Sequence, residues 1–236
     1  MKQINLDRIK TIVKGWRIGD YIRQTSIVVI GVLITFSGSD LISRCSEKRD
    51  IRTTMLLIGE ELKANKEKYV NSLSEFNEDE RLSVLLVKHN MNYREIPEDS
   101  LKQFLYVVGH IRNFAYSRNA LNILNNSMQM QKISDKEFLL SLNEVYERLE
   151  RFKVSLNGYY DMKEKVTVPF HLSLTDGRTD LLYSGGYDAW NIYLSDIAVR
   201  NFLRIAQQYF TTGHREALMQ KIDQVILSLE KKYGSE

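Results

Sequence analysis

Proline is almost missing from this chain: Pro97 and Pro169 are the two among 236 residues. With so few breakers, a composition rich in Leu, Lys, Glu, Asn and Tyr favours long helices. Cysteine is rarer still. Cys45 stands alone, so no intrachain disulfide can form, a condition met on either side of a membrane. Arg44 and Lys48 beside it would favour a thiolate, but no histidine is near in sequence to complete a nucleophilic pair.

Catalytic constellations are also wanting. His89, His110, His171 and His214 each lack a second His or a Glu at helical spacing, so no metal ligand set is expected. Glu60 and Glu61 are adjacent and point to different helix faces, which makes them a poor acid and base pair. Ser184-Gly185-Gly186 has neither the lysine nor the spacing of a phosphate-binding loop. No basic stripe with interleaved aromatics follows the first fifty residues, so nucleic acid is not an expected partner. The sequence points to a non-catalytic protein that needs no cofactor.

What is present begins with Ser26 to Ile42, SIVVIGVLITFSGSDLI, whose core from Ile27 to Phe36 carries no charge. Counted from Tyr21 to Ile42 it has 22 residues, about 33 Å of helix against a hydrocarbon layer of about 30 Å. Arg23 and Asp40 fall near the two ends, where both can reach the interface. Ser37, Gly38 and Ser39 loosely suit a signal-peptidase site, but the preceding leader is over twenty residues long. Gly31, Thr35 and Ser39 recur every four residues and would let a second helix approach closely.

Net charge is +3, yet residues 1–52 carry +5 and the remainder −2. Basic flanks beside an apolar run fit contact with membrane lipid, and their modest bias places the N-terminus in the cytoplasm. The chain thus divides into a basic leader over 1–24, cytoplasmic or interfacial, a transmembrane helix over 25–43 and a helical domain over 44–236. In the leader, Ile9, Ile12, Val13 and Trp16 have the spacing of a helix lying in the interface.

Beyond the run, Ile51, Met55, Ile58, Leu62, Asn65 and Tyr69 step by four and three, a heptad seam of coiled-coil type with one polar position. Asn77 with Glu80, and Ser134 with Glu137, resemble capping boxes opening new helices. A long helix is expected from about Pro97 to Leu124, with Leu101, Leu105, Val108 and Ile111 inward. The clearest periodicity runs through Phe138, Leu142, Val145, Leu149, Phe152, Leu156 and Tyr159. From Thr167 to Gly186 the pattern stops and a loop is expected. Two helices then close the chain. The first spans about Tyr187 to Phe210, with Trp190, Ile197, Phe202 and Ile205 inward and Gly213 marking its end, and the second carries Leu218, Ile222, Val225 and Leu229. The fold class is all-α, a single N-terminal transmembrane helix followed by an antiparallel helical bundle.

Ile27 to Phe36, Ile58-Gly59-Glu60-Glu61-Leu62 with Asn65, and the region from Ser117 to Tyr159 with its ISDKEF helix start resemble a family of uncharacterised bacterial single-pass membrane proteins, a domain of unknown function. The resemblance implies an inner-membrane anchor and a helical C-terminal domain, and it implies no activity. Relatives tend to carry an Asn- and Trp-containing segment where Ser39, Asp40 and Leu41 stand here.

A ligand or partner site is expected where Tyr183, Tyr187, Trp190 and Tyr193, with Asp188 and Arg200, surround the start of the penultimate helix. The expected function is a membrane-anchored interaction module that assembles with itself, as a homo-oligomer, or with another membrane protein of the envelope. The alternative is an extracytoplasmic ligand-sensing domain that signals through a separate membrane partner.

Overall fold

The structure, a computed structural model, describes residues 18–209 and 212–234, so the expected leader helix lies outside the described residues. The chain divides into two compact units, Met1–Thr53 and Thr54–Glu236, a boundary ten residues beyond the expected end of the span. Among the described residues every regular element is helical and there is no strand.

Helix α1, Ile18–Lys88, is 71 residues long and continuous, as a stretch without proline permits. Every described side chain from Thr25 to Thr35 is exposed. Among the described residues no helix is long and apolar enough to cross a membrane. The side chains of residues 36–40, inside the expected span, lie outside the described residues. Gly31 has open space around it, and the Thr35 hydroxyl donates to the Gly31 carbonyl at 2.8 Å. Ser39 is among the side chains not described.

The expected capping box at Asn77 and Glu80 opens no helix, because both fall inside α1. Their side chains face Arg215 instead, which donates to Asn77 Oδ1 at 3.0 Å and to both oxygens of Glu80 at 2.9 and 3.2 Å. α1 ends where Asn90 takes a left-handed φ of 50°. The Asn90 N–H then bonds Val87 O and the Met91 N–H bonds Leu86 O, closing the last carbonyls in a Schellman arrangement.

After a 3-10 turn at Tyr93–Glu95 come α2, Glu98–Lys102, α3, Asn119–Asn126, and α4, Gln129–Lys132. The single helix expected from Pro97 to Leu124 is therefore absent. Residues 110–118 have no regular structure and are held by side chains. Asn65 on α1 bonds both backbone groups of Ser117, and Asn157 bonds both backbone groups of Phe114. These amides satisfy the backbone locally, which removes the drive to form helix there.

Helix α5, Lys136–Leu172, is capped by Asp135, whose carboxylate accepts from the Phe138 N–H at 2.9 Å, so the cap sits one residue beyond the expected Ser134. It carries Pro169 within its last turn, and the following segment Asp176–Ser184 is helix α6. The loop expected from Thr167 to Gly186 is thus mostly helical. The bond that Pro169 cannot donate is a local loss, outweighed by burial of Thr167 just before it and Phe170 just after it. Gly185 ends α6 with a left-handed φ of 70°.

The expected helix from Tyr187 to Phe210 is broken into α7, Tyr187–Ser195, α8, Ile197–Phe202, and α9, Ala206–Tyr209. Asp196 makes the first break, capping α8 by accepting from the Val199 N–H at 2.9 Å. Ile197 is consequently turned outward and Ile205 is exposed, whereas Trp190 and Phe202 are buried as expected. Helix α10, Thr212–Leu229, contains Gly213 in its first turn, so this glycine opens a helix and does not end one. A π-helical turn over Glu230–Gly234 follows.

One core layer of the second unit is made by α1, α5 and α10. From Met55 onward the heptad seam fills it: Met55, Ile58, Leu62, Asn65 and Tyr69 are all buried, as are the seven periodic positions of α5 and Leu218, Ile222, Val225 and Leu229 of α10, whereas Ile51, the first expected position, is half-buried in the first unit. Aromatic edges lock the layer, with Tyr69 against Phe152 at 4.6 Å and Phe76 against Tyr159 at 5.0 Å. A second layer gathers Leu82 and Leu86 from the end of α1, Leu101, Phe104 and Val108, Phe170, and Trp190 and Tyr193 of α7.

Candidate functional site

The end of α5, the turns after α2 and the pair α6 and α7 enclose a cleft of about 410 Å³. Its floor is Leu105, Leu174 and Leu182, and Thr179 contributes a hydroxyl. His110 and His171 stand with Tyr106, Tyr183 and Tyr193 around it. A Cβ at Gly109 would sit 3.6 Å from the His171 imidazole Cε1, an ordinary contact, so the two positions are neighbours across the cleft without requiring glycine. The His171 ring meets Tyr193 edge to face at 6.1 Å and 88°. Among the described residues the lining holds no aspartate, glutamate, lysine or arginine, and Arg112 Nη2 lies 3.4 Å from His110 Nδ1 beside it.

The structure separates the expected site residues. Tyr183, exposed, and Tyr193, buried, both line the cleft. Trp190 does not: it is fully buried in the second core layer, 5.7 Å from Tyr193, with its indole N–H unpaired. Tyr187 is a tie within the fold, its hydroxyl donating to Ile96 O at 2.9 Å and its ring 5.8 Å from Tyr93. Arg200 and Asp188 are exposed and take no part in the lining. His110 and His171 were not singled out from the sequence, because 61 positions separate them and only tertiary packing brings them to one cleft.

A different polar centre lies between α1 and α5. Asp79 accepts from the Tyr159 hydroxyl at 2.9 Å and from Lys163 Nζ at 2.5 Å, and Lys163 is wholly shielded, 5.4 Å from the centre of the Tyr160 ring. Burial pushes the Asp79 carboxyl up and the Lys163 ammonium down, and their mutual attraction offsets only part of this. A lysine so depressed has the makings of a nucleophile, but this one lines no opening and holds α5 to α1.

Glu61 forms a third centre. It accepts from the Ser117 hydroxyl at 2.6 Å, the Tyr146 hydroxyl at 2.6 Å and the Ala120 N–H at 3.0 Å, the last an orphan donor of the first turn of α3. The neighbouring Glu60 faces Lys63, so the two adjacent glutamates do unrelated jobs. Among the described residues no three His, Cys, Asp or Glu side chains converge so as to hold a metal ion. Cys45 is exposed.

No family model matches this chain, and neither a curated protein nor a solved structure matches it.

Proposed function

We propose that the chain is a membrane-anchored, non-catalytic helical module, tethered through residues 25–43 to the inner membrane and assembling with itself or with another membrane protein. One observation carries the reading. Ile27, Val28, Val29, Ile30, Val32, Leu33 and Ile34 are each about half or more exposed, and at 100° per residue they face every side of α1. Shielding seven such side chains is worth on the order of 10 kcal/mol, which lipid supplies on all sides at once. The heptad seam is already filled by the chain's own bundle, so a partner helix would meet the apolar run itself, at Gly31, Thr35 and Ser39. The basic flanks support an N-terminus in the cytoplasm and contact with lipid headgroups.

Alkaline carbonate extraction of membranes from cells expressing the full chain tests the anchor. Retention in the pellet is expected, together with release of an Ile30→Lys, Leu33→Lys variant. Recovery of the natural chain in the supernatant would end the proposal. Exposed Cys45, just past the run, then reports topology: labelling by a membrane-impermeant thiol reagent in intact spheroplasts is the expected result.

A second reading is favoured by the cleft, where Tyr183 and Tyr193 meet His110 and His171. Here the second unit is a ligand-sensing domain that signals through a separate membrane protein. Thr179→Trp, which fills the cleft from a half-buried wall, should abolish any rise in Tm that small-molecule fractions of the host cell cause in the natural chain. An undiminished rise would place the ligand elsewhere.

A further inference from the structure

Tyr193 is 4% exposed, and its ring is closed in by Phe170 at 5.5 Å, Trp190 at 5.7 Å and His171 at 6.1 Å. Its hydroxyl has no hydrogen-bond partner among the described residues, a condition it shares with the buried Tyr160, whereas Tyr69, Tyr146 and Tyr159 donate to a protein acceptor. The ring is buried but the hydroxyl is not sealed off, and a phenol O–H that opens onto a cleft without a protein acceptor is free to donate to an acceptor from outside the chain. Burial, with the Tyr183 phenol nearby, holds this hydroxyl up to about 12, so at neutral pH it is a donor.

The rest of the cleft defines what carries that acceptor. The leucine floor and the tyrosine rings, with Tyr106 and Tyr183 each 75% exposed at the rim, offer flat apolar surface. Beside them the lining offers the two imidazoles of His110 and His171 as polar groups, with Arg112 Nη2 3.4 Å from His110 Nδ1. A volume of about 410 Å³ accommodates a molecule of two or three fused rings.

We infer that this cleft binds a planar aromatic molecule whose edge carries a carbonyl oxygen, with the Tyr193 hydroxyl donating to that oxygen and the rings lying against Tyr106 and Tyr183. The inference rests on the second reading above and names the ligand class for it. It is independent of the membrane anchor.

Two probes of matched shape test it: 9-fluorenone, which has the carbonyl, and fluorene, which does not. Each is titrated into the full-length protein in detergent micelles while the His171 imidazole resonances are followed. The same titrations are made on Tyr193→Phe, which keeps the ring and removes an unpaired hydroxyl, so its Tm should be unchanged or slightly higher. Loss of probe into the micelle is common to both proteins and cancels in their ratio. Fluorenone is expected to bind the natural chain five- to tenfold more tightly than the variant, and fluorene equally to both. Equal fluorenone affinity for both proteins would leave an aromatic-binding cleft and overturn carbonyl recognition by Tyr193. Failure of both probes to move His171 would overturn the ligand class, while the sensing reading stands or falls by the Thr179→Trp experiment and the anchor by membrane extraction.

Discussion

Asn65 holds Ser117 by both of its backbone groups: Nδ2 donates to the carbonyl and Oδ1 accepts from the N–H, each at 2.8 Å. Fifty-two positions apart in sequence, the two meet as neighbouring strands would, with one side-chain amide standing in for a strand. Asn157 repeats the device on Phe114, from α5. Between them the two amides fix the irregular segment 110–118 against the bundle, and His110 at its start is placed on the cleft as a result.

Asn65→Ala should therefore destabilise the second unit by about 2 to 4 kcal/mol, because two backbone groups beside a buried position lose their partner at once. Asn65→Asp should cost a similar amount, since a carboxylate cannot donate to the Ser117 carbonyl. Urea unfolding at neutral pH measures both. A loss below about 0.5 kcal/mol would mean that water replaces the amide freely.

Glu61 sets an acid limit on stability. Burial raises its carboxyl, but the hydroxyls of Ser117 and Tyr146 and the N–H groups of Ala120 and Asn119 together outweigh it and hold the group below its ordinary 4.5. A folded-state value below the unfolded one means that the contribution is complete above pH 4.5 and is lost as pH falls through the depressed folded value. The urea midpoint of the natural chain should fall more steeply between about pH 5 and pH 3 than that of Glu61→Gln, which keeps the shape without the titration. Parallel curves would assign the acid sensitivity to other carboxylates.

Lys163→Met should be strongly destabilising, by about 3 to 5 kcal/mol, because it leaves the buried Asp79 without its ion-pair partner and with the Tyr159 hydroxyl as its remaining hydrogen bond. A triple variant, Asp79→Leu, Tyr159→Phe and Lys163→Met, removes every polar member and should regain most of that loss. Denaturant unfolding of the single and triple variants decides the matter. A triple variant as unstable as the single one would show that the pair contributes net stability.

Trp190→Ala should cost about 3 to 5 kcal/mol through the cavity it leaves in the second core layer. Trp190→Phe should cost less, because it also removes the unpaired indole N–H. Thermal unfolding compares them. A near-neutral Trp190→Ala would mean that this layer is loosely packed and would restore Trp190 as a surface residue.

The sequence by itself determined the class and the main layer. Rows stepping by four and three commit Met55 to Tyr69 and Phe138 to Tyr159 to one face each, because a 3.6-residue turn leaves those side chains no other direction. The apolar run was equally plain, since seven branched side chains without a charge need cover from somewhere. Breaks were less legible. Local spacing suggested helix over 110–118 and loop over 167–184, and the structure reverses both, because Asn65 and Asn157 capture one backbone while burial of Phe170 carries α5 through Pro169. The candidate site was half visible, in Tyr183 and Tyr193. Bringing His110 to His171, putting Trp190 in the core and leaving the Tyr193 hydroxyl unpaired are decisions of the tertiary structure alone. They depend on which distant surfaces exclude water together, and no spacing along a chain encodes that directly.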